Sequence, residues 1–195
     1  MNYKSLEFCF KGERTYVHGT DIYNKLVTIL SPVMKEENLD LSFHGVAEKN
    51  IRLLIEKPKD ENLIKFVCKY IDIGGKKILF GVENEKSILC QYPYDENKIT
   101  IFTALNKKNE EITLVNDSSF SFIENSVAMN KHLLENLFPN VEGKWYFTRL
   151  QMKQIVKDNI YPLKLKLKAN FNFKLTKTEI YIDNTLVGYI YFSLV

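Results

Sequence analysis

Turn punctuation is scarce in this sequence. Eight glycines and five prolines are spread over 195 residues, while Phe (13) and Tyr (11) are plentiful. That balance excludes collagen-like, linker-rich and low-complexity chains and points to long strands of aromatic and β-branched residues. An excess of one charge sign is also missing. The 27 basic residues face 24 acidic ones, a net +3, without the clustered basic excess that marks most nucleic-acid binders, so no nucleic-acid partner is expected. No apolar run approaches the roughly 20 residues of a membrane span, and the N-terminal MNYKSLEFCF lacks a basic region followed by a signal-peptide core. Cysteine is rare. Cys9, Cys68 and Cys90 are odd in number, widely spaced and free of any CxxC pattern, which leads us to expect reduced, mostly buried thiols in a soluble, cytoplasmic protein. The three histidines show no HExxH or similar spacing, and no metal is expected.

What is present reads as strands around two helices. Tyr3–Phe10, Leu39–Phe43 and Ile51–Ile55 carry strand character, and Ile64–Ile73 and Lys77–Val82 form a hairpin around Gly74-Gly75. Ile22, Leu26, Ile29 and Leu30 recur at helical spacing after Thr20 or Asp21 as N-cap, and Pro32 stops them. Further on, Ile99–Leu105, Glu111–Val115 and Ser118–Ile123 read as strands, and Val127–Phe138 as a helix stopped by Pro139. Trp145–Met152, Leu163–Leu167, Phe171–Leu175, Thr178–Ile182 and Leu186–Leu194 complete an antiparallel set. Each half, residues 1–98 and 99–195, thus runs strand, helix, antiparallel strands. Superposing Asn24-Lys25 on Asn130-Lys131 lays His18 over Glu124 and suggests an architectural repeat.

The stretch RTYVHGTDIYN, residues 14–24, places an imidazole and a glycine where a strand pattern gives way to a helix. A helix N-terminus offers unpaired N–H groups and a positive dipole end. Such donors polarise a carbonyl and stabilise the oxyanion or enolate derived from it. Gly19 permits close backbone approach, and a histidine with an ordinary pKa of about 6.5 serves as acid or base near neutral pH. The same residue equally suits a polar strand–helix junction. His44 and His132 read as surface or core-edge positions, and Asp21 as a first-turn acid.

In this order of elements the chain resembles the hot-dog fold, and two halves in one chain resemble a double hot-dog. YVHGTDIYN is similar to the entry into the central helix of thioesterases and hydroxyacyl-thioester dehydratases, and residues 175–195 look like the last dehydratase hairpin. The resemblance implies an α+β fold of two hot-dog-like halves, each a central helix packed on a shared long antiparallel sheet. It implies an acyl-thioester binding protein of lipid or polyketide metabolism, a dehydratase or thioesterase. Its substrate would be carried by coenzyme A or acyl carrier protein, with no further cofactor, and it would be a monomer or homodimer of double units. His18 and Glu124 are then the catalytic candidates, and Gly19, Thr20, Tyr23, Asn24 and Asn130 the substrate-binding ones. Where the dehydratases carry a helix carboxylate this chain has Asn24 and Asn130, and an amide carries no proton at neutral pH; Glu124 or Glu135 would have to supply it. That departure keeps open a non-catalytic β-rich module binding a protein partner or an apolar ligand. Lys164, Lys166 and Lys168 put three cations on one strand face, either solvated or a phosphate contact.

Overall fold

The computed structural model of the chain describes residues 4–156, 158 and 160–195, with backbone alone at 35–37. It divides into two compact units, residues 1–94 and 95–195.

The first unit contains β1 (Ser5–Leu6), β2 (Phe10–Lys11), α1 (Gly19–Leu30), β3 (Met34–Phe43), β4 (Lys49–Leu54), β5 (Ile64–Asp72), β6 (Gly75–Ser87) and β7 (Gln91–Tyr92). Its main sheet runs β1-β4-β6-β5-β3 with antiparallel neighbours, and β2 and β7 form a separate parallel ribbon. Alternation builds the sheet. Ile64, Phe66 and Cys68 of β5 are buried while the residues between them are more exposed. In α1 the period changes, and Ile22, Tyr23, Leu26, Val27 and Leu30 form the buried stripe. Gly75 closes the β5–β6 hairpin at φ 101°, a region that glycine enters without a Cβ clash. Opposite Gly81, the fully buried Phe66 ring lies where a Cβ would come within 2.1 Å of it.

The second unit contains α2 (Asn97–Thr100), β8 (Thr103–Asn106), β9 (Glu111–Leu114), α3 (Phe122–Leu137), β10 (Trp145–Met152), β11 (Leu163–Phe171), β12 (Leu175–Ile182) and β13 (Thr185–Leu194). The strand order is β10-β13-β12-β11-β9-β8. Asp183 and Asn184, at φ 47° and 62°, make the tight turn that joins β12 to β13, with the paired positive φ values such hairpins favour. α3 is buried on most of its circumference, from Phe122 and Ile123 to Leu133 and Leu134.

The α+β class and the antiparallel sheets match the expectation. Four segments differ. Phe171–Leu175 is the turn between β11 and β12, with Asn172 and Phe173 at φ 50° and 59°. The first strand is broken between β1 and β2, because the Asn50 side chain accepts the Phe8 amide at 2.7 Å and takes that donor from any strand partner. Ile99–Leu105 begins as a helical turn, where Asp95 Oδ1 accepts the Asn97 amide at 3.0 Å. Ser118–Ile123 is no strand, since Ser121 caps α3. The repeat also has a limit. In the first unit the strand after the helix pairs with the third strand after it, β3 with β5. In the second it pairs with the fourth, β10 with β13. The last hairpin is therefore inserted in opposite senses.

The cysteines correct the expectation of three free thiols. Cys9 and Cys90 form a disulfide across 81 residues, alongside the β2–β7 ribbon. Cys68 is free and fully buried. Burial, reinforced by Asp40, pushes its thiol up to about 12. Titration of the denatured, unreduced protein should therefore find one thiol, and three after reduction. Cys9→Ser/Cys90→Ser should lose about 2–4 kcal/mol of stability in urea unfolding, as expected for a bridge closing a long loop. Cys68 ionises in the unfolded chain near its ordinary 9.0 but stays neutral when folded. Its contribution to stability is thus complete below pH 9.0 and is lost as pH rises toward about 12.

Candidate active site

The N-cap of α1 is His18, not Thr20 or Asp21. The His18 backbone (φ −75°, ψ 140°) is extended, and its carbonyl accepts the Asp21 and Ile22 amides at 3.0 and 3.3 Å. The expected capping side chains are engaged elsewhere. Lys11, with no exposure to water, donates to Thr20 Oγ1 at 2.9 Å and to Asp21 Oδ1 at 3.2 Å. The Tyr92 hydroxyl donates to the Asp21 carboxylate at 2.8 and 2.9 Å. The Lys11 ammonium lies 4.3 Å from the Tyr94 ring centroid and 5.8 Å from that of Tyr92, so two aromatic faces assist the carboxylate in compensating the buried cation.

His18 joins this network through Nδ1, 2.7 Å from Thr20 Oγ1. Thr20 Oγ1 already receives the Lys11 proton, so its own hydrogen goes either to His18 or to Asp21 Oδ1 at 3.5 Å. Given to His18, as the shorter distance favours, it leaves the imidazole proton on Nε2; given to Asp21, it leaves Nδ1–H donating to Thr20 Oγ1 and the ring lone pair on Nε2. The residue is 8% exposed, and its ring is tilted 41° against that of Tyr94 at 6.4 Å.

The remaining candidates lie apart from this cluster. Tyr23 is a core residue, 1% exposed; Asn24 is half-buried on the next turn of α1, and Gly19 sits at its first position. Glu124 belongs to the capping box of α3. Its carboxylate accepts the Ser121 amide at 2.9 Å and the Ser121 hydroxyl at 2.6 Å. Counted from the two caps, Glu124 corresponds to Asp21 and not to His18, and Asn24 is the sixth residue after its cap while Asn130 is the ninth. Asn130 is fully buried, and neither Oδ1 nor Nδ2 has a hydrogen-bond partner among the described residues. Neighbouring polar groups on α3 are satisfied. Asn125 accepts from Ser118 Oγ at 2.6 Å, and Ser126 donates to Phe122 O at 2.8 Å. Glu135 is exposed. A cavity of about 240 Å³ in the second unit is lined by Thr113, Pro162, Lys164, Tyr181, Asp183 and Asn184; none of the expected site residues lines it. Among the described residues no group of three or more His, Cys, Asp or Glu side chains is placed to hold a metal.

Lys11, Asp21, Tyr92 and Tyr94 are thus the members that sequence reasoning did not assign to the site. Asp21→Asn should remove the anion facing a fully buried cation and cost about 3 kcal/mol of stability, measured by urea unfolding. Asn130→Leu should act in the opposite direction. Replacing an orphaned buried amide by an apolar group of similar shape should raise stability by about 1 kcal/mol, unless a ligand supplies the missing partner during purification.

No family model matches the chain, and no curated protein matches it. Solved structures similar to it include the tesB protein of Mycobacterium avium subsp. paratuberculosis (6% identity, 91% of this chain and 85% of that one, TM-score 0.45). The dehydratase domain from the CurF module of curacin polyketide synthase is similar at 6% identity (92% and 84%, TM-score 0.45). An acyl-ACP thioesterase from Bacteroides thetaiotaomicron is similar at 12% (98% and 97%, TM-score 0.41). By its own topology each unit carries one main helix and an antiparallel sheet, an α+β arrangement consistent with the hot-dog fold.

Proposed function

We propose that the chain binds an acyl thioester, of coenzyme A or of an acyl carrier protein, at the start of α1, and acts on it by acid–base chemistry from His18. One observation carries this reading: the relay from His18 Nδ1 through Thr20 Oγ1 to Asp21, at 2.7 and 3.5 Å, on a helix N-terminus. The first two amides of a helix find no acceptor within it, and here they belong to Gly19 and Thr20. With the dipole end and the Lys11 cation they form a positive field for a thioester oxygen. For Nε2 to take a proton the neutral ring must hold its own on Nδ1; in that tautomer Nδ1–H donates to Thr20 Oγ1 and the hydroxyl turns to Asp21, whose carboxylate faces the imidazolium that forms. Asp21 then supplies the carboxylate that Asn24 and Asn130 do not, and Glu124 stays with its cap.

Two reactions suit this set. In hydrolysis His18 takes a proton from the water that attacks the carbonyl carbon; the C–S bond breaks and the departing sulfur receives that proton. In dehydration of a 3-hydroxyacyl thioester His18 takes the α-proton and returns it to the leaving hydroxyl, which departs as water. Asn24 would orient the acyl chain. Neither reaction calls for a metal or redox cofactor. A second reading, a non-catalytic module, is favoured by the burial of His18 and Lys11. The expected cytoplasmic location meets a disulfide of a kind that persists in oxidising compartments; the Cys9–Cys90 pair favours such a compartment. Among the described residues no helix is long and apolar enough to cross a membrane.

The test is a panel of acyl-CoA and 3-hydroxyacyl-CoA thioesters assayed for turnover and for binding. His18→Ala should reduce turnover about 10²–10⁴-fold, the usual worth of a positioned acid–base group, and Thr20→Val should shift its pH profile while binding persists. A parent protein that neither binds nor turns over any member, with His18→Ala lowering only the melting temperature, would leave the non-catalytic module standing.

A further inference from the structure

The second unit gathers cations on one face of its sheet. Leu163, Leu165 and Leu167 of β11 are buried, so Lys164, Lys166 and the following Lys168 point to the opposite side. The register sets Lys164 opposite Tyr181 and Lys166 opposite Glu179, and both Lys177 and Arg149 opposite Tyr191. The charges lie over tyrosine rings. Lys177 Nζ is 3.9 Å from the Tyr189 centroid, Lys164 Nζ 5.1 Å from Tyr181, Arg149 Cζ 5.6 Å from Tyr191 and Lys153 Nζ 5.9 Å from Tyr189. Six cations therefore share a face whose cross-strand register brings in two carboxylates, Glu111 and Glu179. Glu179 is itself taken, by Lys168 at 3.6 Å and by the Tyr181 hydroxyl at 2.9 Å. The whole chain is close to charge balance, so the excess is one of placement.

We propose that this face docks the acidic surface of a protein partner. The inference stands apart from the chemistry at His18. Lys164 and Lys166 repeat at about 7 Å, two strand residues of roughly 3.4 Å each, close to the 5–6 Å that separates i and i+4 side chains on a helix. A helix bearing Asp and Glu four apart thus meets lysines in step, and complementary charge sets the register and speeds encounter. Stacked bases suit the face less well, because cations already lie over its tyrosine rings and a base would have to displace them. A bilayer suits it less well too, because the phenol groups of Tyr181 and Tyr191 are tied to Glu179 and to Gln151 at 2.9 and 2.5 Å.

Fluorescently labelled poly-L-glutamate, titrated by anisotropy at low and at moderate salt, tests the proposal on the full chain. Binding should weaken as salt rises. Lys166→Glu/Lys177→Glu should weaken it by about tenfold or more, whereas the matched change Lys107→Glu/Lys108→Glu, in the turn between β8 and β9, should change it by less than about twofold. If the first pair unfolds in a thermal melt, Lys166→Gln/Lys177→Gln replaces it, with about threefold weakening expected. Absent binding, or equal losses in both pairs, overturns the proposal. So does tighter binding of poly-deoxythymidine or of phosphatidylserine vesicles that the same face variants abolish, since either would make the face a nucleic-acid or a membrane site.

Discussion

A lysine ammonium withdrawn from water is sustained only where other groups meet its charge and its hydrogens, and Lys11 imposes that condition on the first unit. Its partners come from two places in the chain: Thr20 and Asp21 at the start of α1, and Tyr92 and Tyr94 beyond β6. Satisfying them fixes where the helix begins relative to the short ribbon of β2 and β7. The ribbon is held by pairing of Phe10 with Gln91 and Lys11 with Tyr92, and the Cys9–Cys90 bond flanks it. Backbone pairing, covalent bond and buried cation converge on the same few residues. The candidate histidine is therefore set by a tertiary network, and its own helix contributes only the carbonyl that starts the first turn.

Much of the fold was legible because it rests on local rules. β10 could be bounded from Trp145 to Met152 by its alternation alone, the β5–β6 hairpin by Gly74-Gly75, and the end of α1 by Pro32. The errors also had local causes. Apolar residues alternating through Ser118–Ile123 looked like a strand, yet Ser121 and Glu124 at a spacing of three are a capping box, and the cap overrides so short an alternation. The break between β1 and β2 depends on Asn50, 42 residues from the amide it accepts. The parallel pairing of β2 with β7 spans the length of the unit. Neither leaves a trace in the neighbouring residues.

The candidate site was legible in part for the same reason. His18, Gly19 and Thr20 were found because a strand-to-helix junction is a local signal. Lys11 follows a run of alternating apolar residues and carries no mark of burial. Tyr92 and Tyr94 lie in a polar segment with Pro93 that reads as an ordinary loop. The disulfide was misjudged because wide spacing carries no information about proximity: residues 81 apart in sequence are adjacent once β2 and β7 pair.

Asp21 and Glu124 show how one methylene decides a role. Both stand three residues after a cap. Glu124 is long enough to turn back and accept the Ser121 amide, as Glu at this position characteristically does, and so its charge is spent on the helix that bears it. Asp21 is shorter. Its cap is a histidine whose Nδ1 is engaged with Thr20 Oγ1 instead of closing the first turn. The Asp21 carboxylate therefore reaches outward, to Lys11 and Tyr92, and becomes the anion that permits the buried ammonium. That same outward reach sets a carboxylate one hydroxyl away from the imidazole. A serine at position 18 with a glutamate at position 21 would complete a capping box like that of α3, and Lys11 would then lose the anion on which its burial depends.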